Sequence, residues 1–214
     1  MEKKSRKASW PVGLAAVDAA IAHGGALYGE DAVNDFNAAF DHVIALLDDA
    51  ATLIMRKSFN TSAFLSITAI EETAKAHVAI YRRDHVDGPA KGRDPLRDHR
   101  EKHRIAIQQT VFMSERLTNA LGPVACTRLQ KEAETDGFVS TREASLYCAR
   151  TNGKFVTPRI ATSAERAKEL LLLAIEALDD GLVGYTDHSM SANAYLDALF
   201  EKISSLLPSD GERA

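Results

Sequence analysis

Residues 61–83 read TSAFLSITAIEETAKAHVAIYRR, and this stretch decides the predicted fold. Its apolar residues recur at helical spacing on two opposite faces. One face carries Ala63, Ile67, Ala74 and Val78, and the other carries Leu65, Ala69, Ala76 and Ile80. A helix that is apolar nearly all round must be enclosed by its neighbours. The stretch therefore predicts the central helix of a helical bundle.

Further helices are predicted on both sides of this segment from apolar spacing and from helix-ending residues. They run over about 11–24, 31–56, 95–121, 162–183 and 191–207. Thr162 followed by Glu165 predicts a capping box at the start of one of them. Residues 123–160 are the least regular, and Asn152-Gly153 indicates a short hairpin or ordered loop there. The sequence predicts an all-α, up-and-down bundle with an irregular insertion near 123–160.

The length and composition of the chain fit a single folded domain. It has 214 residues, 45% of them hydrophobic, and its two cysteines are too few for a disulfide scaffold. The longest strongly apolar run, residues 170–175, is far shorter than the ~20 residues that a membrane-spanning helix needs. We expect a cytoplasmic protein without membrane contact. Its predicted parts are a basic tail at 1–10, a bundle domain at 11–207 and a C-terminal tail at 208–214.

Charge is distributed unevenly along the chain. The net charge is −4, which argues against general affinity for polyanions. Residues 82–104, however, contain eight Lys or Arg and five Asp or Glu, a local charge of +3 that leaves −7 for the rest. A local basic surface on an acidic protein can still bind a phosphate chain.

An acidic pair interrupts the apolar pattern of the central segment. Glu71 falls within the apolar arc and Glu72 falls beside it, so at least one carboxylate is expected to be buried. Burial is unfavourable by several kcal/mol unless the charge is paired, and Lys75 stands four residues after Glu71, at the spacing of an ion pair. Two interpretations stay open. The pair is either a structural ion pair or the wall of a site that orients a cation or a neighbouring histidine.

Two histidines are the candidate catalytic groups. His99 and His103 are one helical turn apart and share the inward face of their predicted helix. Each is either a packed core or boundary histidine or a functional one. A metal site is not predicted, because Arg100 follows His99 where the zinc-protease pattern has Glu, and no Glu-x-x-His repeat exists in two copies. No cofactor is expected.

An arginine precedes each histidine by six residues, Arg93 before His99 and Arg97 before His103. A guanidinium group binds phosphate, and an imidazole with a free pKa of ~6.5 transfers protons at neutral pH. These groups suit RNA cleavage without metal. A base removes the 2′-OH proton, the oxygen attacks the adjacent phosphorus, and an acid protonates the leaving 5′ oxygen.

Three blocks of the sequence carry a resemblance to a known family. They are AFLSITAIEETAK at 63–75, DHREK at 98–102 and REASLY at 142–147, with Gly153 and Pro158 downstream. Over roughly 30–185 the chain resembles the AbiV-type abortive infection family, a branch of the HEPN helical-bundle superfamily. The resemblance implies phage defence through shutdown of host translation. It also implies a phage protein as a possible trigger.

The resemblance also implies a chemistry and an assembly. HEPN relatives are often metal-independent ribonucleases with an Arg-x4–6-His motif, and they work as dimers whose motifs face each other. Arg93/His99 and Arg97/His103 both fit that motif, and His99 lies within a matching block. Supporting residues are expected at Glu71, Glu72, Lys75, Lys102, Arg142 and Tyr147.

Alternatives remain for the supporting residues and for the function. Arg142 either contacts phosphate or pairs with Glu71 or Glu72, and Tyr147 either stacks on a base or plugs the bundle. The alternative function is a non-catalytic helical protein that binds a phage protein or a translation component. A metal-dependent bundle enzyme is the weakest alternative.

Overall fold

The computed structural model describes residues 12–84 and 91–206. Its α-helices are α1 Val12–His23, α2 Ala32–Met55, α3 Phe59–Tyr81, α4 His99–Ala106, α5 Glu115–Leu121, α6 Pro123–Glu134, α7 Gly137–Leu146, α8 Pro158–Ala161, α9 Ala164–Leu182, α10 Asp187–Ser191 and α11 Asn193–Ser204. Strands β1 (Ala149–Thr151) and β2 (Lys154–Val156) form an antiparallel hairpin. The predicted all-α bundle is confirmed. The predicted tails at 1–10 and 208–214 lie outside the described residues.

Helix α3 is the enclosed centre of the bundle, as its two apolar faces predict. It packs most extensively against α2 and α9, and it also contacts α1, α4, α7 and α8. Small residues such as Ala63, Ala69 and Ala74 are fully buried on it, which lets the neighbouring helices approach closely. The bundle therefore surrounds the segment that also carries Glu71 and Glu72.

The core is built mainly from long apolar side chains of α2 and α9. Phe40 and Leu47 of α2 are fully buried, as is every residue from 170 to 175 on α9. Among the described residues, no helix is both long enough and apolar enough to span a bilayer. The helix predicted over 31–56 corresponds to α2, and that prediction is confirmed.

The single helix predicted over 95–121 is wrong. The chain forms a 3₁₀ turn at Pro95–Arg97, then α4, a second 3₁₀ turn at Gln109–Phe112, and α5. Asp94 accepts a hydrogen bond from the Leu96 N–H, and Asp98 accepts from Arg100 and Glu101. These short carboxylates start the first 3₁₀ turn and α4 because they take backbone N–H groups that a continuous helix would bond to its own carbonyls. No side-chain cap from the described residues starts the second 3₁₀ turn or α5.

Residues 123–160 are more regular than predicted. Pro123 begins α6, because proline is well suited to a first helical turn, and α7 follows at once. The predicted hairpin is confirmed, with Asn152 and Gly153 both at positive φ in its turn. The capping box at Thr162 is wrong, since Ser163 caps α9 by accepting from the Arg166 N–H.

We expect Ile67→Ala to lower the free energy of unfolding by about 2–5 kcal/mol, because truncation of a buried side chain leaves a cavity. Ile67 is fully buried on α3. The matched control is Ile160→Ala, since Ile160 is 75% exposed and should change stability little. Urea unfolding followed by circular dichroism measures both, and equal effects would contradict the enclosure of α3.

Candidate functional site

The buried carboxylate of Glu71 lies at the contact between α3 and α4. His99 Nδ1 is 2.8 Å from both carboxylate oxygens, and His103 Nε2 is 3.2 Å from Oε1. Lys102 Nζ lies 2.5 Å from Oε2 and is itself buried. One carboxylate of the central helix therefore accepts hydrogen bonds from three side chains on a single turn of α4.

The N-terminus of α4 sets the positions of these three side chains. Asp98 caps the helix, so α4 begins at His99. Positions three and four residues later lie on the same helical face as the first, which brings Lys102 and His103 beside His99. The local Asp cap thereby directs all three groups toward Glu71.

The predicted pair between Glu71 and Lys75 is wrong. Lys75 Nζ lies 2.6 Å from Glu72 Oε1 instead, and both of those side chains are partly exposed. The ammonium group keeps contact with water by pairing with the outer of the two carboxylates. The prediction that at least one carboxylate is buried is confirmed, because Glu71 is 3% exposed.

The two histidines hold opposite tautomers when neutral, because an ionised carboxylate only accepts hydrogen bonds. Nδ1 of His99 must carry the proton donated to Glu71, which leaves Nε2 as the unprotonated nitrogen of a side chain that is 42% exposed. His103 donates through Nε2, and its Nδ1 is buried without a hydrogen-bond partner in the described part of the chain. Of the two site histidines, His99 is the one whose side chain is partly exposed, and His103 is fully buried.

Hydrogen bonding overcomes the effect of burial at Glu71. Burial raises the pKa of its carboxyl, but hydrogen bonds from His103 and Lys102 lower the pKa to about 2 overall. Because the folded pKa lies below the unfolded value, ionisation of Glu71 stabilises the fold above pH 4.5, and this contribution is lost as pH falls to about 2. Burial also lowers the pKa of His103, so that ring is neutral at pH 7.

Arg142 joins the same carboxylate from α7. Its Nε lies 3.7 Å from Glu71 Oε1, and its guanidinium group stacks over the Phe64 ring at 5.0 Å. The ion-pair alternative for Arg142 is therefore the one that the structure shows. Tyr147 is 65% exposed, so it does not plug the bundle.

The two predicted arginines lie at the surface before α4. Arg93 Nη2 donates to the Arg97 carbonyl at 3.1 Å, and its Nη1 is 3.9 Å from Asp98. Arg93 thus packs on the turn that leads into His99. Arg97 is exposed, and neither arginine pairs with Glu71 among the described residues.

Sequence reasoning missed part of this region. Asp98 was not assigned its capping role, although an Asp one residue before a polar helix start is a recognisable signal. The basic and aromatic residues of the hairpin were also missed, although Arg150 and Phe155 flank the Asn-Gly turn. No group of three or more His, Cys, Asp or Glu side chains in the described ranges is arranged to hold a metal ion.

The fold and the site together define a class of protein. It is an α-helical bundle in which a buried carboxylate orients a surface histidine. When both histidines are neutral, the Glu71 carboxylate faces the Lys102 ammonium and the Arg142 guanidinium, so the net charge of these three groups is +1. Such a site can transfer protons through His99 and attract an anion.

Comparison with known proteins identifies the family. The family model HEPN_AbiV, described as AbiV, matches residues 33–179, more than half of the chain. The chain therefore belongs to the AbiV family of HEPN-type abortive-infection proteins, which confirms the resemblance found in the sequence. No curated protein and no solved structure matches the chain.

We expect Glu71→Gln to lower the free energy of unfolding at pH 7 by about 3–5 kcal/mol, because it leaves the buried Lys102 ammonium without a counter-charge. Glu72→Gln is the matched control. Its carboxylate pairs with the partly exposed Lys75, and such pairs contribute about 1 kcal/mol or less. Urea unfolding at pH 7 distinguishes the two, and similar losses would contradict the role of Glu71 as the counter-charge.

Nitrogen-15 NMR should find different tautomers for the two site histidines. Neutral His99 is expected to carry its proton on Nδ1 and His103 on Nε2, because each ring donates to the Glu71 carboxylate. His103 should also stay neutral to a lower pH than a free histidine, since burial lowers its pKa. A shared tautomer would contradict the geometry of the site.

Proposed function

We propose that this chain is an abortive-infection effector that cleaves RNA through His99 and thereby shuts down translation in the infected bacterium. The observation that carries the proposal is the partly exposed His99 ring, whose Nδ1 donates to the buried Glu71 carboxylate. A ring held in this way offers Nε2 to a substrate as a proton acceptor. Membership of the AbiV family supports the setting in phage defence.

The proposed reaction is transesterification within the RNA chain. Nε2 of His99 accepts the proton of a 2′-hydroxyl, and the 2′ oxygen attacks the adjacent phosphorus. The P–O5′ bond breaks, and an acid protonates the 5′ oxygen, which leaves a 2′,3′-cyclic phosphate and a 5′-hydroxyl. Arg93, Arg97 and the +1 charge around Glu71 stabilise the negative charge that develops on the phosphoryl oxygens. No step of this reaction uses a metal ion.

A homodimer supplies the second imidazole in this proposal. Within the described residues His103 is fully buried, so one chain offers one accessible ring at the Glu71 site. The acid that protonates the 5′ oxygen is then His99 of a second copy in its imidazolium form, which donates the proton from Nε2 and is left neutral. Facing motifs of this kind are what membership of the HEPN superfamily leads us to expect.

His103 acts as a positioning residue in this proposal. Its Nε2 donates to the oxygen of Glu71 that also accepts from His99. Its ring packs edge-to-face on Phe138, with centroids 5.5 Å apart. These two contacts fix the carboxylate, which in turn fixes His99.

We expect purified protein to cleave single-stranded RNA in EDTA and to leave cyclic phosphate ends. His99→Gln should slow cleavage by about 100-fold or more, because a positioned acid–base group contributes ~10²–10⁴-fold. His188→Gln is the matched control, since His188 is also about half exposed and hydrogen-bonds through Nε2 to Asp41 at 2.6 Å. It should cleave like the wild type.

Other variants separate the proposed roles. His103→Gln retains an N–H donor for Glu71, so it should keep most of the activity, whereas a loss equal to that of His99→Gln would place His103 in the chemistry. Cleavage that is unaffected by His99→Gln would overturn the proposal. Growth arrest by a folded but non-cleaving His99→Gln protein would favour the alternative, a protein that binds a phage protein or a translation component.

A further inference from the structure

The β-hairpin and the residues around it expose aromatic side chains. We call residues 147–160 the hairpin surface. Tyr147 is 65% exposed and Phe155 is 63% exposed. Large apolar rings are left in water at a cost that scales with their area, so a concentration of them points to contact with a partner.

The hairpin surface is also strongly basic. It contains Arg150, Lys154 and Arg159 and no acidic residue, a charge of +3 in a chain with a net charge of −4. None of these three side chains forms an ion pair within the part of the chain that the structure describes. The arginines that pack on the bundle are paired instead: Arg82 with Asp94, Arg116 with Glu176, Arg128 with Glu169 and Arg166 with Glu132. Unpaired positive charge favours a polyanion as the partner.

The register of the hairpin places a cation and a ring side by side. Arg150 is directly opposite Phe155 in the antiparallel pair, and opposite residues share one face of a two-stranded ribbon. A single nucleic-acid strand repeats a charged phosphate and an apolar base. Proteins bind such strands with basic side chains along the backbone and aromatic rings against the bases. The pairing of Arg150 with Phe155 matches that repeat.

The hairpin surface adjoins the Glu71 site through α7. Arg142 on α7 lies 3.7 Å from Glu71, and Asn60 Nδ2 of α3 donates to the Ser145 carbonyl at 3.2 Å. Tyr147 follows Arg142 by five residues, which is about 7.5 Å along a helix. Asn60 precedes Glu71 by eleven residues, about 16 Å along α3, so an RNA strand must run for several nucleotides from the hairpin surface to reach His99.

We propose that the hairpin surface binds single-stranded RNA, with Phe155 and Tyr147 stacking on bases and Arg150, Lys154 and Arg159 contacting phosphates. The choice of RNA as the polyanion rests on the proposed function. The hairpin surface then holds the strand while His99 acts on a phosphodiester farther along it.

The test measures the affinity of the full chain for a fluorescent 2′-O-methyl RNA oligonucleotide by anisotropy. This probe lacks the 2′-hydroxyl, so binding is measured whether or not the protein cleaves RNA. Phe155→Ala should weaken binding about 5- to 150-fold, the range for loss of one stacked base. Lys154→Gln should reduce the slope of log affinity against log salt concentration by about 0.7.

Two controls of similar exposure test whether these effects are local. Met113 is 76% exposed and Lys131 is exposed on α6, so Met113→Ala and Lys131→Gln should bind like the wild type. Bound RNA should also slow alkylation of Cys148, which is exposed within the hairpin surface, while Cys126 is buried. Together these results would support the proposal even if His99→Gln did not affect cleavage.

Two results would overturn RNA binding by the hairpin surface and leave the proposed cleavage by His99 unaffected. One is wild-type RNA affinity in both Phe155→Ala and Lys154→Gln. The other is weaker self-association of Phe155→Ala in sedimentation, with unchanged RNA affinity, which would make the hairpin surface a contact between protein chains. Circular dichroism checks that each variant is folded.

Discussion

The ionised carboxylate of Glu71 lies inside the bundle, and the geometry of the site depends on the hydrogen bonds that keep it charged. Burial alone favours its neutral form, but N–H groups from His103 and Lys102 reverse that preference. The acceptor belongs to α3, whereas the donors come from α4, a helix of only eight residues. The Glu71 carboxylate thereby holds α4 against α3 and fixes the orientation of both imidazole rings.

The long helices could be predicted because their apolar residues keep helical spacing without interruption, on one face in α2 and on two faces in α3. The region from 95 to 121 could not, although its apolar residues also keep helical spacing. There Asp94 and Asp98 capture backbone N–H groups, a local competition that periodicity does not register. Residue spacing predicts which face is buried, but at Asp94 and Asp98 short polar side chains decide where the 3₁₀ turn and α4 begin.

The site could be predicted in its residues but only partly in its contacts. Burial of Glu71 and the shared face of His99 and His103 follow from helical geometry. The partners of Glu71 could not be predicted, because helical periodicity identifies the face on which a residue lies but not the helix that packs against that face. The unequal exposure of the two rings is likewise a tertiary effect, since Phe138 of α7 packs on His103 and leaves His99 at the surface.

A second charged cluster shows what distinguishes the Glu71 site. Its members are Arg116, Glu176, Asp179 and Asp197. One guanidinium and three carboxylates sum to −2, whereas the groups at Glu71 sum to +1. Both clusters contain a buried carboxylate, so burial does not separate them. The sign of the uncompensated charge does, and in the function we propose it would repel a phosphate chain from the Arg116 cluster and attract it toward His99.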